Sequence, residues 1–341
     1  MLRPPIAPMR AVGVPELPEP GMCRGGCSYE IKFDGFRCLA FTRPGGVYLQ
    51  SRQAKDLTPY FPEIAAAVAA ALPPDTVVDG EMIIFDPQVG RTSFSALLGR
   101  ITAGRRLPAE IARRPASLVL FDVLAAAGED LTGRPLRERR AHLEALLADA
   151  PPALVLCPQT TDVELARAWF DEYHVTGAEG LVVKDLASPY RAGRAGAWWK
   201  VKRRVTTEAI VGGVIGATDD PRALLLGRLD RGRLRYVGRT VPLALSQRQE
   251  AARLLTAADG EHPWPNPLPA AWIGQLDQRE PQPYAQVEPL LVAEIVVDQA
   301  YEYGRFRHAV RHLRIRADLD PGDVEQWRPS PPDPGARQSA D

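Results

Sequence analysis

The sequence has no surplus of charge, few cysteines and no long apolar run. Its 42 basic and 42 acidic side chains cancel. That balance excludes a passive, strongly basic coat for nucleic acid, while leaving room for local basic patches. No apolar stretch approaches the length a bilayer demands, so no membrane association is expected. The N-terminus is proline-rich as far as Pro20 and lacks the charged and apolar regions of a signal peptide, so a cytoplasmic protein is expected. Cys23, Cys27, Cys38 and Cys157 are too scattered for a four-thiolate zinc site, and reduced, packed thiols are expected.

What is present is an ordinary globular composition, 45% hydrophobic and 25% charged, over 341 residues, a length that suggests two domains. Residues 1–27 read as an arm, proline-rich and then glycine-rich. Strands are predicted at 29–40, 47–50, 76–85 and 117–124, with short ones at 180–184 and 198–201. Helices are predicted at 62–72, stopped by Pro73-Pro74, and at 136–148 and 163–173. After Arg204 strands dominate, at 208–215, 223–229, 234–237, 291–297 and 313–316. A helix at 245–255 and a proline-rich crossing at 263–289 interrupt them. Five short strands with one helix predict a small barrel of the OB type over 205–322. A tail at 323–341, rich in Pro, Ser and Asp from Arg328 on, is predicted to be disordered.

The most informative stretch is Glu30-Ile31-Lys32-Phe33-Asp34-Gly35-Phe36-Arg37. Tyr29, Ile31 and Phe33 alternate with Glu30, Lys32 and Asp34, so a strand would bury one face and present an amine on the other. Gly35 would let the chain turn. Alone, such a pattern is a solvated ion pair. Further charged clusters accompany it in order: Ser51-Arg52, Asp79-Gly80-Glu81, Phe121-Asp122, Glu179-Gly180 with Lys184, and Trp199-Lys200-Val201-Lys202. Lys184 ends an apolar run and needs a partner, because an unpaired buried ammonium is costly.

In that order the clusters resemble the motifs of the covalent nucleotidyltransferase superfamily, which contains ATP-dependent DNA ligases, RNA ligases and mRNA-capping guanylyltransferases. Arg314-Ile315-Arg316-Ala317-Asp318 resembles the last motif. The resemblance covers roughly residues 28 to 320 and is closest to the short, stand-alone bacterial ATP-dependent DNA ligases of repair. It implies an α+β fold: an adenylyltransferase domain at 28–204, with ATP-grasp-like antiparallel sheets and helices, followed by the small barrel. It implies Lys32 as the nucleophile that takes AMP from ATP, a nicked duplex as the partner, and magnesium or manganese as cofactor. A monomer associated with the nucleoid, and repair polymerase or end-joining proteins as partners, go with that reading.

By the same resemblance Glu30 would accept the adenine amino group, Ile31 would lie beside the nucleotide and Phe121 would stack on the base. Arg37 and Arg52 would hold ribose and nick phosphate. Glu81 and Glu179 would bind ribose or metal. Lys200 and Lys202 would lower the pKa of Lys32 and neutralise phosphate charge. Arg316 and Asp318 would orient pyrophosphate. Arg228, Arg231, Arg233, Arg235 and Arg239 suggest a face that tracks DNA phosphates, with Arg228, Arg233, Arg235 and Arg239 as its contacts.

The last motif departs from the family pattern, which ends Arg-x-Asp-Lys; here Leu319 follows Asp318. Arg311 or Arg314 would substitute. An NAD-dependent ligase would need an N-terminal nicotinamide-binding domain and a zinc module, for which the sequence offers nothing. The alternatives are an RNA ligase, a capping-type guanylyltransferase and a non-catalytic nucleic-acid-binding relative.

Overall fold

The computed structural model describes residues 2–87, 90–172, 178–203, 205–273, 280–298 and 300–328. The chain forms two compact units, divided between Arg203 and Arg204. The first contains β1 (Val12–Gly13), β2 (Cys27–Phe33), β3 (Phe36–Arg43), β4 (Gly46–Ser51), α1 (Pro62–Ala71), β5 (Val77–Asp86) and β6 (Arg91–Thr92). It continues with α2 (Phe94–Thr102), α3 (Leu107–Arg113), β7 (Ala116–Ala126), β8 (Glu129–Asp130), α4 (Leu136–Leu146), β9 (Leu154–Leu156) and β10 (Gln159–Thr160). The last elements of this unit are α5 (Val163–Glu172), β11 (Ala178–Asp185) and β12 (Trp198–Lys202).

Two sheets face each other. One has the order β1-β12-β11-β2-β10; the other has the path β4-β3-β5-β7-β8, with β6 and β9 pairing beside it. Alternation explains the layering. Cys38 and Ala40 of β3 point to a core shared with Ile64 and Val68 of α1, Leu97 of α2 and Leu143 of α4. Leu39 and Phe41 point the other way, into a layer with Phe121 and with Trp198 of the facing sheet. The outer face of that facing sheet buries Tyr29, Ile31, Leu181 and Val183 under α5. Pro62 begins α1, where its missing N–H costs nothing, and Ser93 caps α2 by accepting from Ala96 N–H.

The single strand predicted at 29–40 is two strands in different sheets. The break falls at Asp34-Gly35, and Gly35 serves a close approach: a Cβ there would lie 2.1 Å from the Met82 carbonyl oxygen. The thiols are not all reduced, because Cys23 and Cys27 form a disulfide ahead of β2, while Cys38 and Cys157 are free and buried. The helix at 136–148 is less solvated than its charges suggest: Arg139 is fully buried in a bidentate pair with Asp122. Tyr173, at the end of another predicted helix, lies outside the described residues.

The second unit contains β13 (Val205–Ala217), β14 (Asp220–Asp230), β15 (Arg233–Arg239), α6 (Leu245–Leu254), α7 (Ala270–Ile273), β16 (Ala285–Val297), β17 (Tyr301–Glu302), β18 (Arg305–Phe306) and β19 (Arg311–Ile315). Five of these strands form an antiparallel sheet in the order β15-β14-β13-β16-β19. Among the described residues the sheet is not closed by a ladder; one isolated bridge, Thr240 to Val310, links residues flanking its two edge strands. The strand predicted at 291–297 begins earlier, at Ala285, so Pro289 lies inside it. An irregularity accommodates the proline: Val211 pairs Leu291 while Gly213 pairs Gln286. The tail predicted from 323 is ordered at its start. Val324 is buried and the Trp327 N–H donates to the Leu229 carbonyl. Residues 329–341 lie outside the described residues.

Candidate active site

Alternation along β2 sends Tyr29 and Ile31 under α5 and leaves Ser28, Glu30 and Lys32 facing the second sheet. The antiparallel register sets Lys32 opposite Gly180 and Lys184 opposite Ser28. Two crossed ion pairs follow. Lys32 Nζ binds Glu179 Oε2, which also takes Lys202 Nζ at 3.2 Å. Lys184 Nζ lies 2.6 Å from Glu30 Oε2. The lysine that needed a partner thus finds it in Glu30.

The charges set each other's titration. Burial pulls the Lys32 ammonium toward losing its proton, yet the carboxylates of Glu179 and Glu81 outweigh this and hold its pKa above the ordinary value. The expected lowering by neighbouring lysines falls on Lys200 instead, through burial and then the charges of Lys32, Lys202 and Arg52. Burial disfavours the Glu179 carboxylate, but Lys32 and Lys202 hold its pKa below the usual range. Glu81 is pushed up to about 7 by burial, with Lys32 and Arg37 opposing and Asp34 and Glu179 adding to the rise.

Arg37 is held by a motif residue to which the sequence reading gave no individual role. Asp79, fully buried, takes Arg37 Nε at 2.5 Å and Nη2 at 2.6 Å. The Tyr190 hydroxyl donates to Asp79 at 2.7 Å and accepts from the Met9 N–H at 2.9 Å. The arm residues 1–27 are therefore partly a wall of the site. Ile6 and Gln50 exchange two hydrogen bonds, and Val12 and Gly13 pair with Trp199 and Lys200. Proline-rich composition hid this, because it signals a linker and says nothing of pairing.

Phe121 does not offer an open face. It is 9% exposed, and Arg37 and Lys184 lie over its ring at 4.5 and 4.3 Å. Ile31 faces away, into the layer under α5. Arg52 is exposed beyond β4. Among the described residues, Ser28 Oγ, Glu30 Oε1 and Trp198 Nε1 belong to the buried polar atoms of the inner face without a hydrogen-bond partner. Buried polar atoms of this kind are able to bond a ligand or a water.

The remaining site residues lie in the second unit. Arg316, just beyond β19, binds Asp318 at 2.7 Å and Glu208 at 3.4 Å. Leu319 packs against the apolar layer around Trp264, and Arg314 pairs with Glu294. Arg228 is not a DNA-facing residue: it is 1% exposed and held by Glu325 and Thr207, because β14 is buried on both faces at that point. Arg233 is exposed, Arg235 is exposed and paired with Asp230, and Arg239 is half-buried.

Comparison with known proteins is consistent along the chain. Residues 9–202 match the family model described as the ATP dependent DNA ligase domain. The chain is 35% identical over 335 residues to DNA ligase C2 of Mycolicibacterium smegmatis, covering 93% of this chain and 92% of that protein. It is 32% identical to the multifunctional non-homologous end joining protein LigD of Pseudomonas aeruginosa, across 93% of this chain and 37% of that one. A solved structure from work on minimal-scaffold Lig E DNA ligases superposes with a TM-score of 0.52, covering 90% of this chain and 99% of that chain. At 18% identity that likeness concerns the fold alone.

Proposed function

The chain belongs to the ATP-dependent DNA ligase family, and from that membership we propose that it seals nicks in duplex DNA through an AMP adduct on Lys32. The Lys32 amine attacks the α-phosphorus of ATP; a P–N bond forms, the bond to pyrophosphate breaks and pyrophosphate leaves. A 5′-phosphate oxygen at the nick then takes AMP and frees the lysine. The neighbouring 3′-hydroxyl attacks that phosphate, the phosphodiester forms and AMP departs.

The observation that carries this reading is the position of Lys32. It shares Glu179 with Lys202, and it is the more exposed member of the two crossed pairs on the inner face. Phosphates entering beside Lys200 and Lys202 would compete with Glu179 for the cations and loosen the hold on the nucleophile. Glu30 Oε1, buried without a partner, supports an acceptor for the adenine amino group. Arg37, fixed by Asp79, and Arg52 would hold ribose and nick phosphate. Glu81 and Glu179 fit a divalent ion by donor chemistry: both are oxygen ligands, and burial, with the Asp34 and Glu179 charges, raises the cost of ionising Glu81, a cost a cation would offset. Magnesium or manganese there would neutralise charge on the transferring phosphates.

The second unit's sheet, joined across its edges by the Thr240–Val310 bridge, is read as an OB-type barrel. Arg316 and Asp318 would act on pyrophosphate, and Arg233, Arg235 and Arg239 on duplex phosphates. The relative named for end joining supports a repair role with end-joining partners; a monomeric enzyme at the nucleoid, with a repair polymerase as a further partner, completes the proposal.

The test mixes the protein with labelled ATP, GTP or NAD and then with nicked duplex. Label retained from ATP on Lys32, and sealing that Lys32→Ala abolishes, are expected. Label retained from GTP alone would move the assignment to a guanylyltransferase.

A further inference from the structure

Tyr303 occupies a position that neither its backbone nor its burial explains. It joins β17 to β18 with Gly304, and the two residues have φ of +48° and +75°. A two-residue hairpin turn with both residues left-handed selects Asn, Asp or Gly at its first position, because a Cβ is crowded there. This chain places a tyrosine in that slot and leaves it 70% exposed, more than any other exposed large apolar side chain among the described residues. Strain retained without burial points to a use outside the fold.

The tip is also held firmly. Trp327 Nε1 donates to the Gly304 carbonyl at 3.0 Å, and a Cβ on Gly304 would lie 2.3 Å from that indole. Beneath it Tyr301 and Phe306 are buried edge to face with centroids 5.0 Å apart, and the Tyr301 hydroxyl donates to the Arg328 carbonyl at 3.0 Å. The same Trp327 carries Arg235 over its ring at 5.9 Å. Through one indole, the aromatic tip is thus tied to the strand that bears Arg233 and Arg235. A rigid exposed ring beside arginines matches the chemistry of a nucleic acid, which offers π-faces and sugar edges next to phosphates.

We propose that Tyr303 is a DNA contact: its ring lies against the sugar and base edge of the nicked duplex while the neighbouring arginines take phosphates. The assignment rests on the ligase reading and adds a contact that phosphate tracking alone does not supply.

The test compares wild type, Tyr303→Phe and Tyr303→Asn in the full chain by thermal melting, ATP-dependent labelling of Lys32, binding to a fluorescent nicked duplex, and sealing. Asparagine suits the left-handed turn, so Tyr303→Asn is expected to melt at or above the wild-type temperature. It is expected to bind the nick about tenfold more weakly, the order of one lost aromatic–base contact. Sealing should fall with binding, while Lys32 labelling holds. Tyr303→Phe keeps the ring and should bind within about twofold of wild type. Equal nick affinity for Tyr303→Asn overturns the proposal and returns the tip to a protein-facing or idle role. A melting temperature or Lys32 labelling that falls in step with binding also overturns it, since the tyrosine would then be structural. Failure of the wild type itself to take AMP or to seal would instead sink the ligase reading.

Discussion

Two lysines on adjacent strands of one sheet meet glutamates in mirrored fashion and end in opposite situations. Lys184 and Glu30 are each 2% exposed; Lys32 is 22% exposed and its Glu179 6%. Lys184 lies over two aromatic rings and has one carboxylate partner, whereas Glu179 is shared between Lys32 and Lys202. The chemistry of the pairs is the same, but burial and partner number differ. A charge with one sealed partner is fixed, while a charge whose partner has a second cation in reserve can be released.

The sharpest break of the comparison is Lys32→Ala. It should lower AMP-adduct formation by at least about a thousandfold, read by intact mass spectrometry after ATP and magnesium. Its fold should survive, because Glu179 keeps Lys202. Lys184→Ala should do the reverse, destabilising the first unit by about 3–5 kcal/mol through the stranded Glu30 carboxylate. Urea unfolding measures this, and Lys184→Met with Glu30→Leu should recover most of the loss.

A smaller effect concerns pH. Glu81 has a folded pKa of about 7, above its ordinary 4.5, because burial favours the neutral acid. Its contribution is therefore fully present below about pH 4.5 and is lost as pH rises through about 7. Wild type should lose about 1–2 kcal/mol relative to Glu81→Gln between pH 5 and pH 8, measured by melting in chelator. A gap that is flat or widens the other way contradicts the assigned burial effect. The smallest change is Glu179→Gln, which removes a carboxylate holding the Lys32 proton. Labelling of Lys32 by an amine reagent at fixed pH should rise, roughly threefold for an ion pair in a partly exposed setting.

Period-two alternation made the inner face of β2 legible, and with it Lys32. The requirement that Lys184 be paired was also legible, but its partner was not, because that depends on strand register. Arginine density around residues 228–239 read as a surface, yet composition does not reveal that β14 is buried on both faces where Arg228 sits. Asp79 was visible beside Glu81, but its place between Arg37 and Tyr190, which lies 111 residues away in sequence, was not. Gly35 was legible as a turn, but the apolar residues that resume at Phe36 do not say that the chain crosses there into another sheet.

The stitching of residues 6–13 has a practical side. A purification tag, a fusion partner or a protease that trims the chain up to Gly13 does not act on a free leader. It pulls on the backbone that pairs with the Lys200 strand and on the amide that steadies the Arg37 clamp. Tags placed at the other terminus leave that backbone alone, and enzyme shortened at its start should be compared with the intact chain before its rates are taken as those of the protein.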